Sequence, residues 1–440
     1  MVSIVSSEMI QPAAAIPPAR FELTAFDRIM RYVPYQKRVL FFAAPPGVED
    51  DLFARVMGDL KRSLAEALVV FYPLAGGMRS TGETLEGLEL DCTSDRGVKL
   101  SVAEASLRLG DLAPDFEPSM FCDSLCEIGS PEPAHPWKPE DPLLFVQVTR
   151  FQCGGLSIGV AFSHQAMDGI SAWRFIACWA KLARSGLDRG SLSPKEIPGP
   201  FYSYKEETPA MDRDELLAAG AAGGFLPLES AESMPPLPLG TKIFKLDRAA
   251  IESLKIEAGI SASDGKRFTT YEVVCANFWK RMTIARALPC GSASNFIILA
   301  SGRGKMESVP ESYFGNAVIY FLVSAAAEEL DREPLSHAAE LIHRAIAAGD
   351  EQRAKKITAF MDREIARLVT GYRIYPFHIV VSSPRHPVME CDFGFGRPLG
   401  SSFGTNDLHE GKIYLFPSAE MDGGMSVTAV LQPDAIQRLT

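Results

Sequence analysis

The stretch Leu143–Ser185 reads LLFVQVTRFQCGGLSIGVAFSHQAMDGISAWRFIACWAKLARS. It contains two apolar runs, Leu143–Arg150 and Leu156–Phe162, whose length and composition predict two buried strands. The Cys-Gly-Gly sequence between them suits a tight hairpin. Beyond Asp168 the apolar residues recur at helical spacing. The stretch therefore predicts a hairpin followed by a helix, with His164 at the end of the second strand.

His164 and Asp168 form an HxxxD pattern that carries little information by itself. The chain has seven His residues, so a chance match is common, and a His that closes a buried strand is more often a packing residue. The same position also suits a general base, because the ordinary pKa of imidazole is close to neutrality. The pattern alone leaves both interpretations open.

Three further motifs accompany this pattern along the chain. Leu60–Gly77 ends in FYPLAGG, Ser301–Asn316 contains SGRGK followed by YFGN, and Asp392–Gly396 reads DFGFG. Together with His164–Gly169 they resemble the BAHD family, plant-type acyltransferases that use coenzyme A thioesters. The resemblance extends from about Leu23 to the C-terminus.

The resemblance implies an α/β fold with two chloramphenicol-acetyltransferase-like domains and an active site in a channel between them. A Pro-rich stretch at 191–240 agrees with a long crossover loop, which is unusual inside one compact domain. We expect an N-terminal domain at 1–190 that carries HxxxD and a C-terminal domain at 241–440 that carries DFGFG.

Periodicity predicts several further elements. Thr269 or Thr270 is expected to cap a helix that continues to Ala285. Strands are predicted at Lys242–Leu246, Phe296–Ala300, Asn316–Val323, Ile374–Val381, Lys412–Phe416 and Ser426–Leu431. Helices are predicted at Asp50–Val70 and Ala249–Ala258, and the stretch Leu335–Arg367 is expected to be largely helical.

Composition argues against several classes of protein. A net charge of −11 without a basic cluster argues against a nucleic-acid partner. The first residues lack the features of a signal peptide, and no apolar run has the length of a membrane span. The eight Cys show neither metal-type pairs nor a secreted framework. We expect a cytoplasmic protein that acts as a monomer and holds no metal.

Acyl transfer from a thioester requires an acceptor hydroxyl or amine to lose a proton, and His164 is the candidate base. No Ser or Cys lies in a recognisable elbow or triad, so direct transfer in a ternary complex is favoured over a covalent acyl-enzyme. Acyl-CoA would then be a co-substrate, with no permanently bound cofactor.

Asp168 could pair with His164 or carry the negative charge at the start of the helix. The resemblance implies instead that Asp168 turns away and pairs with an Arg of the second domain, matched here by Arg303. Gly169 completes the motif. These residues would support the site without taking part in the chemistry.

The DFGFG motif is a structural turn beside the coenzyme channel in the resembling family. Asp392 is therefore a candidate for catalytic support or for a purely structural role, with Gly394 and Gly396 as turn residues. Phe395 stands where the family usually has Trp, so a role for an indole N–H is excluded.

Coenzyme binding is predicted partly from the SGRGK turn. Two glycines beside two cations suit a backbone turn that faces phosphate. The candidate coenzyme-binding residues are Lys255, Thr270, Ser301, Arg303, Lys305 and Phe395.

The acceptor pocket departs from the closest-looking subgroup, the hydroxycinnamoyl transferases. Members that use shikimate or quinate carry an Arg in an LVRG segment, and Thr370 stands at that position here. Other acceptor positions of that subgroup fall opposite Gln36, Arg38 and Ser383, and these also depart from it. Arg373 or Arg385 is a candidate replacement for the missing Arg. An uncharged alcohol or an amine is therefore the favoured acceptor.

Two other classes remain open. The condensation domains of peptide synthetases require HHxxxDG, and Ser163 precedes His164 here. A catalytically dispensable relative that acts as the partner of a lipid-elongating complex is the alternative function. The intact His164 and Asp168 argue against it.

Overall fold

The computed structural model describes residues 1–31, 33–45, 50–81, 88–93, 96–113, 116–128, 141–202, 238–260, 268–370, 377–381, 383–405 and 408–439. For residues 50–52, 363–370 and 377 it describes the backbone only. Most of the predicted linker, Arg373, the start of the predicted strand at Ile374 and the side chain of Thr370 therefore lie outside the described residues.

The strands of the described chain are numbered in chain order. They are β1 Val2–Ile10, β2 Arg20–Glu22, β3 Gln36–Phe42, β4 Gly77–Ser80, β5 Leu88–Asp91, β6 Val98–Ala105, β7 Leu144–Phe151, β8 Leu156–Phe162, β9 Gly240–Leu246, β10 Ala293–Ser301, β11 Val318–Ala326, β12 Phe377–Val380, β13 Gly400–Ser402, β14 Lys412–Pro417 and β15 Met425–Leu431.

The α-helices of the described chain are numbered in the same way. They are α1 Ala25–Arg28, α2 Asp50–Val70, α3 Met120–Asp123, α4 Gly169–Arg184, α5 Arg248–Glu257, α6 Thr270–Arg286, α7 Ala327–Arg332, α8 Leu335–Ala347, α9 Glu351–Thr370 and α10 Pro433–Arg438.

One compact unit comprises Met1–Lys205, Arg303–Ala317 and His386–Asp407. Its main sheet has the strand order β1-β6-β7-β8-β3-β13, and a small sheet has the order β2-β5-β4. The predicted hairpin is present, because β7 and β8 pair antiparallel and Gly154 turns the chain with a φ of 80°. Every residue of β8 is buried, as its continuous apolar run predicted.

The helix after β8 packs on the long amphipathic helix of the same unit. Trp179 on α4 is fully buried, and its indole Nε1 donates to Ser63 Oγ at 3.0 Å and to Leu60 O at 3.3 Å on α2. Leu60, Leu64 and Leu68 are buried, so the predicted apolar stripe of α2 faces this core.

The division of the chain is discontinuous, whereas the sequence suggested two continuous ranges. β13 pairs with β3, placing Ser401 opposite Leu40, and so returns the C-terminal part of the chain to the first unit. DFGFG thus belongs to the unit that carries HxxxD, because Phe393 packs edge-on against Trp179 at 4.7 Å. A pairing between such distant segments leaves no local sequence signal.

The first strand was not predicted from the sequence. β1 pairs antiparallel with β6 at the sheet edge, and most of its residues are exposed. It is held by backbone hydrogen bonds, so its side chains do not show the apolar pattern from which strands are predicted.

The second unit comprises Glu206–Gly302, Val318–Arg385 and Leu408–Thr440, with the strand order β11-β10-β12-β14-β15-β9. Thr269 caps α6 as predicted, since its Oγ accepts from Glu272 N at 3.2 Å. The stretch Leu335–Arg367 is largely helical, as predicted, and forms the pair α8 and α9. The two helices are separated near Gly349, where an added Cβ would lie 2.1 Å from the ring of Phe321.

Three further properties concern the described part of the chain. None of its helices has the length and apolar character needed to cross a bilayer. Over the same residues, no group of three or more His, Cys, Asp or Glu could hold a metal ion. All eight cysteines are free thiols.

Gly159 provides a test of the packing around the central hairpin. A Cβ at this position of β8 would lie 1.9 Å from Leu125 O and 2.8 Å from Cys126 Sγ. Overpacking costs about 1–3 kcal/mol and more where backbone must move, so Gly159→Ala should lower the free energy of unfolding by about 3 kcal/mol or more. Denaturant unfolding measures this loss.

Gly110→Ala is the matched control, because a Cβ there meets nothing within 4 Å. Its unfolding midpoint should stay close to that of the wild type. Equal stability of the two variants would contradict the tight packing of β8 against the chain at Leu125.

Candidate active site

His164 lies in the turn between β8 and α4 and is partly exposed. Its imidazole Nδ1 is 3.2 Å from Asn316 Oδ1, and Asn316 Nδ2 donates to the backbone O of His164 at 2.8 Å. One amide therefore holds both the ring and the backbone of this residue. Asn316 ends the YFGN motif, which was noted in the sequence, although its side chain was not predicted as part of the site.

Asp168 and Arg303 form an ion pair in the interior of the first unit. Their side chains are 3% and 2% exposed. Arg303 Nη1 donates to Asp168 Oδ2 at 2.7 Å, and Nη2 donates to Oδ1 at 3.1 Å. The pairing implied by the resemblance is therefore present in bidentate form, the strong geometry for Arg and carboxylate. Arg303 was expected in the second domain, but it belongs to the same compact unit as Asp168.

The Asp168 carboxylate also accepts hydrogen bonds from two backbone amides. Ser171 N donates to Oδ1 at 2.9 Å, which caps α4, and Ala317 N donates to Oδ2 at 3.1 Å. Both carboxylate oxygens thus serve the turn and the helix start. This arrangement supports the role of a scaffold for His164 over that of a catalytic partner.

The charge of Asp168 is maintained by its partners. Burial opposes ionisation, but the charge and hydrogen bonds of Arg303, together with the amides of Ser171 and Ala317, outweigh it and lower the pKa of Asp168. The carboxyl group is consequently ionised across the neutral range.

Arg303 also binds the segment in which it lies. Its Nε donates to Tyr313 O at 2.9 Å, and Nη2 donates to Ser171 Oγ at 2.8 Å and to Gly315 O at 2.9 Å. A guanidinium that is buried and bonded in this way is not available to bind the phosphate groups of a ligand. The prediction that Arg303 binds coenzyme A is therefore corrected, and its place is that of a structural cation.

The DFGFG motif forms a tight turn around its own acid. Asp392 Oδ1 accepts from Gly394 N at 2.8 Å and from Gly396 N at 2.9 Å. Both glycines have positive φ angles, 102° and 108°, which side chains rarely adopt. Phe395 packs edge-on against Phe42 at 5.0 Å. This geometry favours the structural role of Asp392 over a catalytic one.

Gly169 begins α4 and lies against a histidine that the sequence did not single out. A Cβ on Gly169 would be 3.6 Å from His386 Nε2. Burial, and then the charge of Arg38, lower the pKa of His386 to about 4, with a smaller opposing effect from Asp168. The His386 ring is therefore neutral near pH 7 and adds no second cation beside Arg38.

The other predicted residues of the first unit differ in exposure. Gln36 and Arg38 are buried on β3, where Gln36 Nε2 donates to Pro34 O at 3.2 Å. The Arg38 guanidinium lies 5.8 Å from the ring centre of Phe162. Lys305 is exposed in the turn after Arg303.

The remaining predicted residues belong to the second unit. Lys255 Nζ pairs with Glu252 at 2.7 Å, Thr270 is the first residue of α6, and Ser301 is the last residue of β10. Ser383 Oγ accepts from Arg385 N at 3.2 Å. Their assignments to coenzyme or acceptor remain predictions.

The chain has two compact units, each built on a six-stranded sheet, and solved structures share this fold. The crystal structure of vinorine synthase has a TM-score of 0.73 at 21% identity and covers 100% of this chain and 97% of that one. TRI101 of F. graminearum, complexed with coenzyme A and deoxynivalenol, has a TM-score of 0.75 at 15% identity, with 96% of each chain covered.

Sequence comparison identifies the family. The Transferase family model matches residues 1–440. Rosmarinate synthase of Plectranthus scutellarioides is 30% identical, over 99% of this chain and 98% of that protein. Hydroxycinnamoyl-CoA:5-hydroxyanthranilate N-hydroxycinnamoyltransferase HHT4 of Avena sativa is 29% identical, over 99% and 98%. The chain belongs to the BAHD transferase family, acyltransferases that use coenzyme A thioesters, and it is an acyltransferase.

The ion pair can be tested with Asp168→Asn. The substitution keeps the shape and the cap of α4 but leaves the Arg303 charge buried without its counterion. Breaking one partner of a buried pair costs about 3–5 kcal/mol, so the free energy of unfolding at pH 7 should fall by about that amount.

The pH dependence of this loss has a definite sign. Because the folded pKa of Asp168 is lowered, its contribution is fully present above the unfolded pKa of about 3.9 and disappears as pH falls through the folded value. Asp59→Asn is the control. Asp59 pairs with Arg62 at the surface, where their side chains are 57% and 63% exposed, so this substitution should change the free energy of unfolding by no more than about 1 kcal/mol. An equally small effect for Asp168→Asn would contradict the role of the pair.

Proposed function

We propose that the protein is an acyl-CoA-dependent O- or N-acyltransferase that moves an aromatic, hydroxycinnamoyl-type acyl group to an alcohol or amine. The observation that carries the proposal is a partly exposed imidazole, His164, on a turn held by a buried ion pair. The name of the Avena sativa relative specifies a hydroxycinnamoyl-CoA donor and N-acylation, which supports the donor class and the inclusion of amines.

In the proposed reaction His164 acts as general base within a ternary complex. The imidazole takes the proton of the acceptor hydroxyl or amine as that group attacks the thioester carbonyl. A C–O or C–N bond forms and the C–S bond breaks. The leaving thiolate of coenzyme A then recovers the proton from the imidazolium, which restores the neutral base.

Direct transfer is favoured over an acyl-enzyme formed on any of five buried cysteines. Burial raises the pKa of Cys92, Cys126 and Cys178 to about 12, and it raises the pKa of Cys275 and Cys391 as well. The thiolate is the nucleophilic form, so these thiols are poor nucleophiles near neutral pH.

The proposed contacts of the two substrates follow from the exposure of the residues and from their positions in the sequence motifs. Lys305 is the proposed phosphate contact, because it is exposed while its neighbour Arg303 is buried. Lys255, Thr270, Ser301 and Phe395 stay as further proposed coenzyme contacts. Gln36, Arg38, Thr370, Ser383 and Arg385 stay as proposed acceptor contacts, and Thr370 in place of an Arg favours an uncharged alcohol or an amine.

The base is tested by His164→Ala. A positioned general base contributes about 10²- to 10⁴-fold in rate, so kcat should fall on that scale while the Kd for acyl-CoA stays nearly unchanged. The loss should be steeper for an alcohol than for a more basic amine, which can attack before it sheds its proton. Free thiol release from acyl-CoA, with and without a panel of acceptors, measures the rate.

His337→Ala is the control, since this His is also partly exposed and contacts Glu329 in the second unit. A His164→Ala enzyme that keeps more than about a tenth of the wild-type rate would remove His164 from the role of base.

Lys305 tests the coenzyme assignment separately. A charge-assisted hydrogen bond is worth about 1.5–3 kcal/mol, so Lys305→Ala should raise the KM for acyl-CoA by about tenfold or more and leave the acceptor KM unchanged. Lys195→Ala, at another exposed lysine of the first unit, should change neither. An unaltered KM in Lys305→Ala would exclude this contact.

A further inference from the structure

A second buried carboxylate, Asp27, is linked to His164 through the side chain of Asn316. It belongs to α1 and is fully buried. Its Oδ2 accepts from Thr24 N at 3.0 Å and from Thr24 Oγ at 2.6 Å, and its Oδ1 accepts from Asn316 N and Asn316 Nδ2, both at 2.9 Å. One oxygen therefore serves its own helix start, and the other serves Asn316.

These contacts determine which way the Asn316 amide points. Nδ2 is surrounded by three acceptors: Asp27 Oδ1 at 2.9 Å, His164 O at 2.8 Å and Gln165 O at 3.4 Å. An oxygen at that position would face acceptors only, so the NH₂ group must occupy it. Asn316 Oδ1 consequently faces the His164 ring.

The amide orientation in turn selects the protonation of the ring. Asn316 Oδ1 can only accept, and it lies 3.2 Å from His164 Nδ1, so Nδ1 must carry the hydrogen. A neutral imidazole has one N–H, and Nε2 is therefore its basic nitrogen.

We propose that Asp27 is a positioning residue that acts through the Asn316 amide to hold His164 in its Nδ1–H tautomer. The assignment of a catalytic benefit rests on the proposed function of His164 as base. The tautomer itself follows from the hydrogen-bond geometry alone and can be measured without substrate.

The charge of Asp27 is consistent with this role. Burial raises its pKa to about 6, although the hydrogen bonds from Thr24 and Asn316 lower it in part. The carboxyl group is thus mainly ionised near pH 7, when both oxygens only accept. Asp27 in turn acts on the hydroxyls of Tyr202 and Tyr313. Burial first, and then the charge of Asp27, raise the pKa of each hydroxyl, so both are neutral.

The tautomer is tested by nitrogen-15 NMR of histidine-labelled protein at a pH where His164 is neutral, with His164→Gln used to assign its signals. The wild type should show the Nδ1–H tautomer. Asn316→Ala and Asp27→Ala should both show a mixture with the Nε2–H form. A wild type in the Nε2–H form, or variants that keep Nδ1–H unchanged, would overturn the proposal.

Kinetics give the second readout. Asn316→Ala and Asp27→Ala should lower kcat about 10- to 100-fold at unchanged KM for acyl-CoA, because a displaced reacting group can cost about 100-fold. Asp27→Asn keeps an oxygen acceptor for the Asn316 amide and should recover most of the rate. Ser63→Ala, which removes a buried acceptor of Trp179 Nε1, controls for general loss of stability and should keep the wild-type kcat.

The two proposals fail in different ways. Activity that survives in His164→Ala removes the base assignment and leaves the measured tautomer unaffected. An inactive His164→Ala together with a fully active Asn316→Ala removes the positioning role alone. If Asp27→Ala does not fold, the wild-type tautomer and Asn316→Ala still test the Asn316 amide, and a low kcat in Asp27→Asn would contradict the role of Asp27 as an acceptor for that amide.

Discussion

The buried ion pair between Asp168 and Arg303 is the interaction on which the candidate site depends. It joins the turn after β8, the N-terminus of α4 and the segment that contains Tyr313 and Gly315. A charge pair without water must keep its geometry, because either partner alone would be a buried charge without compensation. His164 lies only four residues before Asp168, so the position of the imidazole follows from the position of the pair.

The segment Arg303–Ala317 provides two different supports to this turn. Its first residue supplies the guanidinium that pairs with Asp168, and Asn316 supplies the amide beside the imidazole. The DFGFG turn adds a third support, because Phe393 packs on Trp179 of α4. Motifs that are far apart in sequence thus meet in one compact unit, around the helix that follows HxxxDG.

Two predictions about the site were based on the position of a motif along the chain, and the tertiary contacts contradict both. The GRGK sequence suggested two cations directed at phosphate, whereas Arg303 is buried against a carboxylate 135 residues away and Lys305 is exposed. DFGFG was expected in the second domain because it lies late in the chain, but β13 carries that segment back to the sheet of the first unit. A local sequence pattern predicts neither contact, because each one joins distant parts of the chain.

The sequence by itself determined the elements whose cause is local. The apolar runs of β7 and β8, the stripe of α2 and the Thr269 cap all follow from residues within a few positions of one another. Only the tertiary structure decided that β1 pairs at a sheet edge, that Arg303 is a structural cation, and that Asn316 connects Asp27 to His164. Backbone pairing and buried polar contacts are set by residues brought together in space, so amino-acid order alone does not reveal them.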